Sequence, residues 1–174
     1  MTASDASSCA IEAKCLTKIY GSGNTEVIAM RDATMQVKQG EVVALLGPGG
    51  SGKSTFLPAV GLINPPTSGR IAIRGRLVLD GETAHARLRS FRRRHIRFIF
   101  QKSNLIPFLT AVENIRIAIE LFAKVAHEQG AGVIVVTHDH RALDVFDTIY
   151  EMGRRTHAQA AERPATGGSR TTRC

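Results

Sequence analysis

The run Gly47 to Thr55, GPGGSGKST, has the residue types and spacing of a loop that cradles phosphate groups. Gly47, Gly52, Lys53 and Ser54 fill the fixed places of G-x-x-x-x-G-K-[ST]. Glycines suit such a loop because successive backbone N–H groups must converge on the phosphate oxygens, together with the N-terminus of the next helix. Gly49, Gly50 and Ser51 lie inside the loop and supply part of that N–H array. Lys53 is expected to reach the β and γ oxygens, and Ser54 to hold Mg²⁺ through its hydroxyl. Thr55 is a further candidate for a phosphate contact.

Three other residues gain meaning beside that loop. Gln101 and His138 each follow an apolar run, and ligands of an open α/β sheet sit outside the carboxyl ends of its strands. There they can touch Mg²⁺ or the terminal phosphate; taken alone, each is more often a surface or capping residue. Tyr20 precedes the Gly-rich turn GSGN and offers a ring on which a base could stack, or serves as an ordinary edge aromatic. Asp139 reads as the residue that starts a helix after a strand.

The elements that must position these residues alternate along the chain. Residues 1–9 are small and polar and are expected to be disordered. Ile11 to Ile19 reads as a mixed or edge strand and Val27 to Val37 as strand material. Glu41 to Gly47 (EVVALLG) forms the strand that enters the loop, and Ser54 to Ile63 the helix behind it, closed by Asn64–Pro65–Pro66. Ile71 to Ile73 and Leu77 to Leu79 are strands on either side of Gly75. An Arg-rich helix over about His85 to Arg94 leads into a strand at Ile96–Phe100. Thr110 to Gln129 is one helix, with Thr110 and Glu113 as a capping box and Val112, Ile115, Ile119, Phe122 and Val125/Ala126 at helical spacing. Val133 to Thr137 is a β-branched strand of the kind buried in a parallel sheet. A short helix to Phe146 and a last strand, Thr148 to Met152, complete an α/β domain with a mostly parallel sheet.

With 174 residues, 43% of them hydrophobic and 22% charged, the chain suits one domain with a core. Its formal charge of +8 arises from 23 Lys plus Arg against 15 Asp plus Glu. Much of the excess is in Arg87, Arg89, Arg92, Arg93, Arg94 and Arg97, and in the tail Arg154, Arg155, Arg163, Arg170 and Arg173. Nucleic acid, a phospholipid surface or an acidic protein partner would each be attracted. No apolar run reaches the length of a membrane span, and MTASDASSCA does not read as a secretory signal. Cys9, Cys15 and Cys174 are odd in number and unrelated in spacing, which argues against a disulfide framework or a zinc site and is compatible with a reducing cytoplasm.

In these motifs the chain resembles the ATP-binding subunit of an ABC transporter, closest to the branch serving macrolide export, lipoprotein release and heterocyst-type exporters. ALLGPGGSGKST is similar to that family's phosphate loop, and Tyr20 falls where it keeps an adenine-stacking aromatic. Gln101 in FIFQKSNLIP falls at its Q-loop, and His138 in VIVVTHDHRALDVFD at its switch histidine. RRRHIRFIFQ leading to LTAVENI is similar to the export branch in particular. The resemblance implies an incomplete P-loop NTPase three-layer fold with a mostly parallel sheet, bounded as a disordered start at 1–10, a truncated ATP-binding domain at 11–152 and a disordered basic tail at 153–174. It also implies that the loop's strand lies between the switch-histidine strand and the strand after it.

The departure is as informative. The family keeps a helical LSGGQ-like signature between the Q-loop and the histidine, then an apolar strand ending in Asp–Glu, then a loop with a further Asp. Here only residues 102–137 separate Gln101 from His138, and that stretch contains no Asp and none of these elements. The residues before Leu121–Phe122 resemble the family's segment just after the Q-loop, and the residues beyond it resemble the segment leading into the switch histidine. An internal deletion or a truncated sequence accounts for this, with the Val133 strand left with an unpaired flank.

The resemblance implies an energy-coupling subunit that binds ATP and Mg²⁺ through Gly47–Thr55. Tyr20 would lie at the base, Gln101 and His138 at the terminal phosphate, and Ser54 with Gln101 on the metal. Its partners would be a transmembrane permease subunit and a second ATP-binding subunit as a homodimer, at the cytoplasmic face of the membrane, with no nucleic acid. Without the Asp–Glu pair, hydrolysis is expected to be weak or absent. The alternatives are an unstable relic of such a subunit and a basic P-loop protein that binds nucleic acid or regulates.

Overall fold

The computed structural model describes residues 9–99, 108–137, 140–153, 161–164 and 170–171. Two five-stranded sheets carry the architecture. The first strands are β1 (Cys9–Tyr20) and β2 (Val27–Lys38), joined through a 3-10 turn at Gly23–Thr25. After β3 (Val42–Leu46), the loop and helix α1 (Lys53–Val60) come β4 (Ser68–Ile73), β5 (Arg76–Asp80) and β6 (Thr83–Ala84). Of these, β2-β1-β4-β5-β6 form an antiparallel sheet. Helices α2 (Leu88–His95) and α3 (Ala111–Gln129) lead to β7 (Val133–Val136). A 3-10 turn at His140–Val145 then precedes β8 (Thr148–Glu151), β9 (Ala161–Pro164) and β10 (Arg170–Thr171). The second sheet runs β10-β9-β8-β3-β7.

Strand β3 pairs in parallel with β7 on one side and with β8 on the other. That is the arrangement implied for the strand that enters the phosphate loop. Among the described residues parallel pairing is confined to β7-β3-β8, so the α/β fold stands with mixed sheets rather than a mostly parallel one. All five β3 residues are buried, as a strand covered on both faces requires. Its side chains alternate between two cores. Val43 and Leu45 join Leu16, Met35, Ile71, Phe56 of α1 and Phe91 of α2. Val42 and Ala44 face Ile119 and Ala126 of α3 and Phe146. The antiparallel sheet with α1, the parallel strands, and α3 thus form three layers. Tyr150 ties the two sheets together, its hydroxyl donating to the Gln36 carbonyl of β2 at 2.6 Å.

Several sequence expectations change in detail. Residues 96–99 have no regular structure, although Ile96–Phe100 was expected as a strand. Phe98 lies instead against the end of α1, where a Cβ on Gly61 would fall 1.8 Å from its ring. Strand β7 stands at the sheet edge among the described residues. Its residues are only half-buried, with Val136 exposed, because one flank lacks a neighbour. The helix after β7 is a 3-10 turn, and the tail supplies β9 and β10 where no regular structure was expected. Helix α3 is a single helix across Leu121–Phe122, started by the Thr110–Glu113 capping box and ended by Gly130 at φ 57°. Cys15 is disulfide-bonded, against the reading of the cysteine spacing.

Candidate functional site: the phosphate loop and its surroundings

The loop leaves β3 at Gly47 and enters α1 at Lys53, so strand, loop and helix succeed one another as the motif requires. Gly47 adopts φ 144°, and a Cβ there would lie 2.4 Å from the Met152 carbonyl oxygen and 2.8 Å from Ser51 Oγ. Gly52 adopts φ 98°, with the Ala29 carbonyl 3.0 Å from the place of its missing Cβ. These two positions need glycine because the backbone is left-handed there and other backbone is already in contact. Gly49 and Gly50 open to solvent, with nothing within 4 Å of an added Cβ. As the N-cap of α1, Gly52 has no side chain with which to cap the helix. No side chain caps the first turn of that helix, where N–H groups without an intrahelical partner are suited to an anion.

Lys53 is buried, 7% exposed, and its ammonium is folded back onto the loop. It donates to the Gly47 carbonyl at 2.6 Å, the Pro48 carbonyl at 2.9 Å and Ser51 Oγ at 3.2 Å. No carboxylate lies within ion-pair distance of it among the described residues. The cation therefore rests on neutral oxygens and remains able to exchange them for charged ones. Ser54 is exposed and Thr55 half-buried beside it. The chemistry suits a polyphosphate: a helix N-terminus without a side-chain cap, an ammonium with no carboxylate beside it among the described residues, and an accessible hydroxyl.

Tyr20 ends β1, 43% exposed. Its neighbour across the ladder is Val27, and two residues further along β2 is Ala29, whose carbonyl stands 3.0 Å from the place of the Cβ that Gly52 lacks. Tyr20 and the loop thus share one end of the antiparallel sheet. Gln101, His138 and Asp139 lie outside the described residues. Sequence reasoning missed Met152, whose backbone walls the loop at Gly47, and Lys18 with Asn64, which contact Tyr20. The Lys18-x-Tyr20 spacing was a usable signal, since residues two apart on a strand share a face. Nothing in the sequence pointed to Asn64 or Met152.

The ABC transporter family matches residues 30–171 of the chain. The macrolide export ATP-binding/permease protein MacB of Hyphomonas neptunium is 43% identical over 107 residues, which is 62% of this chain and 16% of that protein. The lipoprotein-releasing system ATP-binding protein LolD of Cereibacter sphaeroides is 39% identical over 147 residues, 84% of this chain and 61% of that protein. The chain thus spans less than two thirds of either relative. Among solved structures, the dimeric ATP-binding cassette MJ0796 in a post-hydrolysis state bound to ADP and Pi superposes with a TM-score of 0.67. That match has 22% identity and covers 91% of this chain and all of that one, so it bears on the fold alone. With the loop geometry and the family match over most of its length, the chain belongs to the ABC transporter family, among its ATP-binding subunits.

Proposed function

We propose that the chain binds Mg–ATP through Gly47–Thr55 as the energy-coupling subunit of an exporter, with hydrolysis weak or absent. The observation that carries this is the loop itself: left-handed glycines at 47 and 52, and a buried Lys53 held only by neutral oxygens. In this reading Lys53 turns from the loop carbonyls to the β and γ oxygens. Mg²⁺ is typically held by few protein ligands plus substrate phosphates. Ser54 fits that role, and among the described residues no cluster of His, Cys, Asp or Glu would compete for the ion. Tyr20 stacks on the base, while Gln101 and His138 meet the terminal phosphate. The parallel pair Leu45–Val136 supports this for His138, because the chain leaves β7 at the same sheet end at which the loop leaves β3.

Weak turnover is expected from the sequence between Gln101 and His138, where no Asp occurs and no apolar strand ends in Asp–Glu. Those groups would support the metal and orient the attacking water, and positioning of this kind is most of phosphoryl-transfer catalysis. A permease partner on the cytoplasmic side of a membrane, and pairing with a second copy, belong to the same reading. No described helix is long and apolar enough to cross a membrane, so the translocation path would lie in the permease. The exposed arginines of α2 are read as a solvated face rather than a nucleic-acid site.

Calorimetric titration with Mg–ATP, comparing the chain with Lys53→Ala, tests the assignment. Lys53→Ala is expected to lose binding by more than about tenfold, since a charge-assisted contact is worth about 1.5–3 kcal/mol; an unchanged curve would sink it. Phosphate release from the unaltered chain is expected to match that variant's background. Lys53-dependent turnover in the usual enzyme range of roughly 1 to 10³ per second would refute the loss of hydrolysis.

A further inference from the structure

Two contacts fix Tyr20 at the end of β1, and each comes from a residue outside the phosphate loop. The Lys18 ammonium lies over the ring, 5.3 Å from its centroid, within the range at which a cation is attracted by an aromatic face. The same ammonium donates to the Pro65 carbonyl at 2.6 Å, which fixes it in place. Asn64 Nδ2 donates to the Tyr20 hydroxyl at 2.6 Å. Between the two, the Ile19 N–H donates to Thr67 Oγ1 at 3.0 Å, and the Thr67 N–H donates to the Thr17 carbonyl at 2.8 Å. The segment that closes α1 is therefore laced along the last residues of β1.

We infer that Lys18 and Asn64 are positioning residues for the nucleobase: they hold the Tyr20 ring in one orientation and leave a single face on which a planar base can stack. The inference rests on the nucleotide site proposed above. The ammonium occupies one face, so a base can use only the other. The hydroxyl bond to Asn64 anchors the far end of the ring and stops it from swinging about the Cα–Cβ bond, while the ammonium over one face disfavours a flip. Lys18 has no carboxylate partner among the described residues, so its charge is compensated by the Pro65 carbonyl and the ring. A ring prepared in this way loses less freedom when it binds a base, and preorganisation appears as affinity.

The test compares ATP with inorganic tripolyphosphate, which carries the phosphates without a base. The chain has two tyrosines and no tryptophan. Tyr150 is buried with its hydroxyl tied to Gln36, so quenching of tyrosine fluorescence on ligand addition reports Tyr20. ATP should quench it and tripolyphosphate should not. Lys18→Met should weaken ATP about two- to fivefold, the affinity equivalent of an exposed cation–π contact, and leave tripolyphosphate binding unchanged. Lys18→Arg should restore the affinity, and Lys18→Met should have no further effect in a Tyr20→Ala background. Equal weakening of both ligands, or the same ATP loss without Tyr20, would overturn the inference. Asn64→Ala serves if Lys18→Met folds poorly: it should lower ATP affinity alone, and an unchanged ratio of the two ligands would also overturn the inference. Lys53-dependent binding of both ligands with silent Tyr20 fluorescence overturns only this inference. Absence of Lys53-dependent binding of either ligand overturns the nucleotide site as well.

Discussion

Gly47→Ala perturbs the point where the second sheet meets the phosphate loop. The new methyl would occupy a place 2.4 Å from the Met152 carbonyl oxygen and 2.8 Å from Ser51 Oγ, at φ 144°. A non-glycine residue in such a backbone region costs about 1–3 kcal/mol. The contact with Met152 is the harder part, because its oxygen is backbone and cannot rotate away. The Met152 N–H is bonded to the Leu46 carbonyl at 3.0 Å, so withdrawing that residue loosens a bond worth about 1 kcal/mol. Together these give a loss of about 2–4 kcal/mol, a large fraction of the roughly 5–15 kcal/mol that holds a domain folded. For a chain of this size, that lowers the melting temperature by about 4–16 °C.

The same substitution reaches the ligand. Ser51 Oγ accepts from Lys53 Nζ at 3.2 Å, so displacing Ser51 also displaces the ammonium's seat, and ATP affinity should fall by at least about tenfold. Gly49→Ala is the control, since nothing lies within 4 Å of its added Cβ; its stability should stay within about 0.5 kcal/mol. Thermal melts and calorimetric titration of both variants decide the matter. If Gly47→Ala melts like the unaltered chain and binds ATP equally well, the geometric account of the loop is wrong.

Tyr150→Phe should lower stability by about 1 kcal/mol, because its hydroxyl bond to Gln36 joins β8 to the antiparallel sheet; a denaturant midpoint equal to that of the unaltered chain would show that the two sheets do not depend on it. The backbone N–H and then the hydroxyl of Thr110 hold the Glu113 carboxyl below its ordinary pKa of 4.5. The carboxylate's contribution to α3 is therefore complete above that value and is lost as pH falls through the lower folded pKa. The gap in melting temperature between the chain and Glu113→Gln should accordingly close below about pH 4.5, and a gap independent of pH would refute the cap's role.

How far the sequence could be read depended on whether a feature was local. Gly47, Gly52 and Lys53 carry their own conformational demands, and β3 before them is apolar throughout, so strand, loop and helix were legible together. The α3 cap was legible because Thr110 and Glu113 are three residues apart. The apolar stripe of α3 was legible in Ile115, Ile119 and Ala126, which pack in the core, but the spacing left Val125 and Ala126 as alternatives, of which Ala126 is buried and Val125 exposed. Periodicity describes a helix's own surface and is silent on which face a neighbour covers. Ile96–Phe100 failed for a related reason. Its composition suits a strand, but composition does not supply a neighbouring strand, and residues 96–99 have no regular structure.

The same distinction separates binding from turnover in the proposed function. Strand β3 keeps a parallel neighbour on each side and a core on each face. Its delivery of the chain to the loop does not depend on the junction at Leu121–Phe122. The loop's walls come from Met152 after β8 and from Ala29 of β2, both far in sequence from that junction. The groups that the family resemblance expects to prepare water for attack belong to the stretch between Gln101 and His138, where no Asp is present. Affinity for a polyphosphate should therefore outlast any loss of hydrolysis, because the elements that make the cradle pack without those that would complete the reaction.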